Sequence, residues 1–322
     1  MERKSTPDAS RHRESMAGQV SWRWRLAGWL RTLPEFRGRD RLGSIVLRGA
    51  APPSGVIRCV IGPGLTFDAR MSDDGSWVDL FFLQYESPSL APVLEAFLES
   101  GSTFVDVGAN VGVYTAWASR CVGSSGRVFA FEPLPTTREY LEHVIALNAL
   151  GNVRVVPKAL GAGPGTVDLW MFPHASGLTS AVSPTDESSA QRVAVSMSTL
   201  DDELRTAGGS SPTLVKIDVE GYEMAVLRGA ARTLAAGDGP AVVFEAQPDL
   251  LARTGVRFAD IPTWFEDQFG YRLFALLPSG LQPIVPGTAT PPTLNTLALH
   301  PERHRIPFDR LRRHRFRRNQ NC

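Results

Sequence analysis

The sequence predicts a doubly wound, mostly parallel α/β sheet behind a small β-rich lead-in. Two observations predict it. From residue 103 onward, short β-type runs alternate with segments of helical period, the signature of βαβ units. Several of these runs end in glycine turns or acidic residues, which would gather at one sheet edge once right-handed crossovers wind the chain. The 322 residues are 43% hydrophobic with a mean hydropathy of −0.09, enough for a substantial core. No stretch approaches the roughly 18–20 apolar residues of a membrane span.

Residues 1–20 are polar and without period, so they read as disordered. In SWRWRLAGWLRTL (21–33), Trp22, Leu26, Trp29, Leu30 and Leu33 fall on one helical face, with Arg23, Arg25 and Arg31 largely away from it. The expectation is a helix docked on its own domain; a basic, Trp-rich helix on a membrane surface is the alternative. Residues 44–86 form the lead-in: SIVLRG, GVIRCVIG, LTFDARM and WVDLFFLQY are β-type runs, broken at GPG (62–64) and DDG (73–75). Ser87-Pro88 then opens a helix over roughly 88–99.

The main domain, 87–300, follows. Strands are predicted at 103–107, 127–131, 152–157, 214–219 and 241–246, and helices at 111–121, 136–150 and 222–235. The segment 160–210 breaks the rhythm, with short strands at 166–172 and 192–196. Residues 272–277 and 294–299 read as a closing strand pair.

Cys59, Cys121 and Cys322 are odd in number, far apart and without CxxC spacing. That argues against a disulfide framework or a cysteine zinc site and fits a reducing, cytoplasmic compartment, as does an N-terminus without a signal-like apolar run. Net charge is +1, but it is unevenly spread. Residues 1–41 carry 10 Lys and Arg against 5 Asp and Glu, and 300–322 carry 8 against 2, leaving the body at −10. An acidic body argues against nucleic-acid binding. The Arg-rich end, 301–322, reads as a solvated tail, and the sharper alternative is that the basic ends draw the protein peripherally to anionic membrane.

Three motifs carry chemistry. Asp106-Val107-Gly108-Ala109-Asn110-Val111-Gly112 lies where a strand gives way to a helix. Gly108 lets the chain turn and Gly112 permits tight packing. The helix start presents free N–H groups. The spacing is GxxxG rather than GxGxxG, and a carboxylate just before the turn suits a ligand bearing an ammonium group better than a pyrophosphate. Glu132 ends the second strand, 24 residues beyond Gly108, where an acid can accept hydrogen bonds from a ribose diol. Pro133 and Pro135 fix the loop after it. In Lys216-Ile217-Asp218-Val219-Glu220-Gly221, two carboxylates share a strand face with a lysine that could offset their charge. Glu245 ends the next strand on the same rim.

These stretches, FVDVGANVGVYT, FAFEPLP, VPKALG and LVKIDVEGYEMAVLRGA, resemble the FkbM-type S-adenosylmethionine-dependent methyltransferases over roughly residues 86–300. The resemblance implies a class I methyltransferase-like sheet of seven strands, the last antiparallel. It implies O-methylation of a sugar, glycolipid or polyketide-type hydroxyl. It places the methionine part of the cofactor on Asp106, Gly108, Asn110 and Gly112, and the ribose on Glu132 beside Pro133. Ala159 and Leu160 would flank the adenine. Val144 stands where the family often has Asn, and 173–191 is only loosely similar.

Methyl transfer to a hydroxyl needs alignment and a base. Asp218 is the first candidate, followed by Glu220 and Glu245, with His174 as the histidine of the acceptor-side loop. Asp218 and Glu245 could instead bind Mg²⁺ through oxygen, though nothing in the sequence requires a metal. A nicotinamide oxidoreductase and a non-catalytic binding module are the competing readings.

Overall fold

In the computed structural model, residues 22–32, 39–48, 56–61, 64–70, 90–171, 179–184, 190–208, 211–277 and 279–313 are described. The expectations for 1–20, for WVDLFFLQY, for Leu33 and for His174 lie outside them. The chain divides into two compact units, 1–86 and 87–322.

The first unit contains α1 (Trp22–Thr32), α2 (Arg39–Leu47) and an antiparallel hairpin, β1 (Val56–Ile61) with β2 (Leu65–Arg70). The hairpin closes at Gly64, whose φ of +79° suits glycine. Arg58 and Asp68 are directly opposed in the ladder and form a bidentate pair at 2.7 and 3.0 Å. Two expectations change. The SIVL of SIVLRG is not β: these four residues end α2, which packs against α1. Helix α1 also buries a different stripe. Trp24, Ala27 and Leu30 are buried, whereas Trp22 and Trp29 are 67% and 55% exposed. Trp22 and Trp29 lie off the buried face, because an amphipathic indole is compatible with either side.

The second unit opens with α3 (Ala91–Phe97). Then β3 (Thr103–Val107), α4 (Val113–Val122), β4 (Arg127–Phe131), α5 (Pro135–Leu147) and β5 (Val153–Val156) make two βαβ crossovers. A small sheet is inserted next, from β6 (Ala159–Leu160), β7 (Gly165–Met171) and β8 (Gln191–Ser198), in the order β6-β8-β7. Helix α6 (Leu200–Thr206) leads to β9 (Leu214–Ile217). Helices α7 (Glu223–Arg228) and α8 (Ala231–Ala235) precede β10 (Ala241–Glu245), and α9 (Pro248–Arg253) and α10 (Asp260–Phe269) follow it. The chain closes with β11 (Arg272–Leu277), β12 (Gly280–Ile284), β13 (Asn295–Leu299) and α11 (Arg305–Arg313).

The large sheet has the order β12-β11-β13-β10-β9-β3-β4-β5. Strands β5, β4, β3, β9 and β10 run parallel, and β13 is antiparallel between β10 and β11. The seven expected strands are present, and β12 adds an eighth at the edge through a tight hairpin with β11. The strand order reverses direction between β3 and β9, so ligands are expected outside the carboxyl ends there.

Alternation splits the core. Val105, Val107, Phe129, Phe131, Val215, Ile217, Val242 and Phe244 belong to one buried cluster that includes Leu227 and Phe265 of the covering helices. Asp106 and Lys216 take the intervening positions and so point to the other face. The helix expected over 222–235 is broken at Gly229. A Cβ there would lie 2.0 Å from the Gly161 carbonyl, and the Gly229 carbonyl accepts from the Asp201 N–H. The break lets β6 and α6 dock.

The Arg-rich end is not a free tail through residue 313. Arg303 donates to the Ala236 carbonyl at 3.0 Å, Leu311 is buried, and Arg310 of α11 donates to the Ala96 carbonyl of α3 at 3.2 Å. His304 is buried as the neutral ring: Nδ1 accepts from the His300 N–H, Nε2 faces the Gly239 carbonyl at 3.0 Å, and burial pulls its pKa down to about 4. Arginine-rich composition hid this helix, because its anchors are single residues rather than an apolar run.

Candidate functional site

Strand register builds the site. Val107 pairs with both Phe131 and Ile217, and Ile217 pairs with Phe244. The next residues, Gly108, Glu132, Asp218 and Glu245, therefore meet at one edge. A cleft of about 760 Å³, counted to its open mouth, lies there. Gly108, Asn110, Glu132, Pro133, Ala159, Leu160, Asp218 and Glu220 all line it. Tyr222, Thr137 and Lys158 also line it, as do Val167, Leu169, Thr179 and Ala181 on and beside the inserted sheet.

The glycine turn is tightly constrained. Gly108 has φ +75°, and a Cβ on it would fall 1.9 Å from the Asp218 carbonyl oxygen. Replacing Gly108 by alanine is expected to cost about 2–4 kcal/mol, through a left-handed backbone and a backbone clash. Gly151, with open space around its Cβ position, is the control; thermal melting of both variants checks this. Gly112 does not line the cleft. Its φ is +87° and a Cβ would meet Leu141 at 2.5 Å, so its role is helix packing.

Glu132 is buried. Its Oε2 accepts the Asn110 N–H and its Oε1 accepts the Leu134 N–H, each at 3.0 Å. Both oxygens are thus fixed by backbone, with further acceptor capacity left. Burial pushes its pKa up to about 7 despite those two donors.

Asp106 is not at the cleft. It is 0% exposed, accepts the Thr115 hydroxyl at 2.6 Å on Oδ2, and pairs through Oδ1 with Lys216 at 3.2 Å. Within β3 the Asp106 side chain turns toward Thr115 and Lys216, and Asp106 is not among the residues that line the cleft. The carboxylate expected to touch an ammonium group instead neutralises a buried lysine. Asn110 lines the cleft, and its buried Oδ1, without a hydrogen-bond partner among the described residues, could take that ammonium role. Asn110 sits in the left-handed region at φ +49°.

Opposite Glu132, Asp218 keeps 31% of its side chain exposed. Glu245 does not line the cleft. It lies behind Asp218, where Gln247 Nε2 reaches Glu245 at 3.4 Å and Glu220 at 3.2 Å. Burial raises Glu245 to about 7, with the Asp218 charge adding to it. Burial, then Asp218, Glu245 and Glu223, raise Glu220 to about 8. Ser180 donates its hydroxyl to the Glu220 carbonyl, fixing the strand beside the inserted sheet to this turn. Among the described residues, no group of three or more His, Cys, Asp or Glu is arranged to hold a metal ion.

Glu223 was not anticipated. It is 1% exposed, and its Oε1 accepts both the Val219 and Gly221 N–H groups. Its signal was available: an acid just after the turn that opens α7 is placed to collect that turn's free N–H groups. Burial raises it to about 7.

Glu132, Glu220, Glu223 and Glu245 thus sit above their ordinary value of 4.5. The stability they contribute is complete below about pH 4.5 and is lost as pH rises through 7–8. The ligand-free protein is expected to melt at a lower temperature at pH 8.5 than at pH 6.5, with Glu223→Gln reducing that difference. An unchanged difference would show that Glu223 does not titrate between pH 6.5 and pH 8.5. Below pH 6.5 His304 acts oppositely, losing its contribution as pH falls toward 4.

A sheet of this order, a glycine turn abutting an acidic strand end and a backbone-fixed carboxylate make a cleft at a topological switch point, where open α/β sheets bind their ligands. Residues 106–273 match the methyltransferase FkbM domain, and the chain belongs to that family. It is similar to methyltransferase sdnD of Sordaria araneosa, at 31% identity over 162 residues, covering 42% of this chain and 62% of that protein. It is also similar to the hexuronic acid methyltransferase AglP of Haloferax volcanii, at 31% over 137 residues, covering 42% and 53%. The matches thus span roughly half to three fifths of these relatives. The crystal structure of methyltransferase FkbM from Methylobacillus flagellatus KT aligns with a TM-score of 0.41 at 18% identity, covering 64% of this chain and 48% of that one.

Proposed function

We propose that the protein is an S-adenosylmethionine-dependent O-methyltransferase acting on a hydroxyl of a sugar, glycolipid or polyketide-type acceptor. The observation that carries the reading is Glu132, with each carboxylate oxygen set by one backbone N–H at the cleft edge. Such a carboxylate can accept a vicinal diol. Gly108 and Asn110 would hold the methionine end, Glu132 and Pro133 the ribose, and Ala159 and Leu160 the adenine. When bound, the cofactor supplies an electrophilic methyl group on a sulfonium.

The chain's own residues supply the rest. Asp218 lines the cleft across from Glu132 and accepts the proton of the acceptor hydroxyl at its carboxylate. Glu220 and Glu245 lie close enough to act on it electrostatically. The apolar wall of Val167, Leu169 and Ala181 excludes water on the other side. The family supports methyl transfer, and similarity to a hexuronic acid methyltransferase supports a sugar-type acceptor. The test is transfer of labelled methyl from S-adenosylmethionine across methyl glycosides, glycolipids and hydroxylated macrocycles. Label in a base-stable ether is the expected result; label only in carboxyl esters would overturn the hydroxyl assignment.

A further inference from the structure

Lys216 is the buried cation of the central sheet. It is 4% exposed, and the parallel register places it directly beside Asp106. Its ammonium lies 3.2 Å from Asp106 Oδ1, 3.3 Å from Asp218 Oδ2 and 3.1 Å from the Gly108 carbonyl, and 5.3 Å from the centre of the Tyr114 ring. Its three oxygen partners come from a strand interior, a strand end and the cofactor-side turn.

We infer that Lys216 is a positioning residue, through which the buried Asp106 fixes Asp218 against the Gly108 turn and keeps the surrounding carboxyls able to ionise. The assignment of Asp218 as base rests on the proposed function; the Lys216 inference rests on the geometry. Three features support it. Asp106 does not line the cleft, and its carboxylate is oriented by the Thr115 hydroxyl toward Lys216. The Gly108 turn and Asp218 are in backbone contact, so one ammonium can hold both. Lys216 also opposes the burial that raises Glu132, Glu220 and Glu245. The charged groups facing Asp218 are Lys216, Glu220, Glu223 and Glu245. Removing the one cation leaves only like charges.

Lys216→Met alone leaves Asp106 as an unpaired buried charge and can fail to fold. The double variant Asp106→Asn, Lys216→Met removes both charges and is the one that carries the test. Carboxyl ¹³C NMR of Glu-labelled, ligand-free protein is titrated, with Glu220→Gln and Glu245→Gln assigning the two resonances. The expected result is a folded double variant whose Glu220 and Glu245 midpoints rise from about 8 and about 7 by on the order of one pH unit. Unmoved midpoints in a folded double variant would overturn the inference. If the double variant does not fold, the same titration of Lys216→Arg decides: parental midpoints support the inference, and midpoints raised despite the retained charge overturn it. Asp218→Asn turnover is read separately. Full turnover there would remove Asp218 as base without touching the titration result.

Discussion

Asp218→Asn is expected to lower methyl transfer by about 10²–10⁴-fold, the usual worth of a positioned general base. The cofactor product S-adenosylhomocysteine should bind with nearly parental affinity. The reasons are geometric. Asp218 lines the cleft and is partly exposed, and its side chain touches Lys216. An asparagine oxygen still accepts from Lys216, so the Gly108 turn keeps its support. What the variant loses is the carboxylate that takes a proton. Single-turnover measurement with labelled cofactor separates the effects. Equal losses in binding and rate would make Asp218 a cofactor contact instead.

Glu132→Ala is expected to have the opposite signature. It removes both oxygens that would accept the ribose hydroxyls, worth roughly 1–3 kcal/mol, or about 5- to 150-fold in affinity. It also leaves the Asn110 and Leu134 N–H groups without the carboxylate that now receives them. Calorimetry with S-adenosylhomocysteine reads the loss directly. Glu132→Gln gives a sharper version. The parent carboxyl, near 7 in the ligand-free site, must be ionised to accept two hydroxyl donors. Binding near neutral pH should therefore release a proton, seen as a dependence of the observed heat on buffer ionisation enthalpy. The glutamine variant should lose that part of the dependence. An unchanged proton count would place the ribose elsewhere.

The sheet was legible because its evidence is local and repeated. Each of β3, β4, β9 and β10 is a short apolar run, and β3, β4 and β9 lead into glycine or proline turns. Their ends hold Gly108, Glu132, Asp218 and Glu245, and parallel register alone then brings these four residues to one edge. Less legible were features set by tertiary contact. The break at Gly229 exists because Gly161 approaches it. The docking of α11 depends on Leu311 and two arginine-to-carbonyl bonds.

Asp106 is the instructive correction. Its position before a glycine turn suggested ligand contact, but strand alternation sends it beneath the sheet edge to Lys216. The motif is real, and its carboxylate acts one residue layer away from the cleft. Glu223 and Gln247 went unread for a similar reason: their partners, the 219–221 turn and the Glu220 and Glu245 carboxyls, become neighbours only after β9 and β10 pair.

The central claim is that this cleft binds S-adenosylmethionine through Glu132. Titration calorimetry of the parent and Glu132→Gln with S-adenosylhomocysteine, and of the parent with NAD, tests it most directly. The account predicts one-to-one binding of S-adenosylhomocysteine with proton release near pH 7, weakened and without that release in the variant, and no heat with NAD. Binding of NAD alone, or S-adenosylhomocysteine binding indifferent to Glu132, would contradict it.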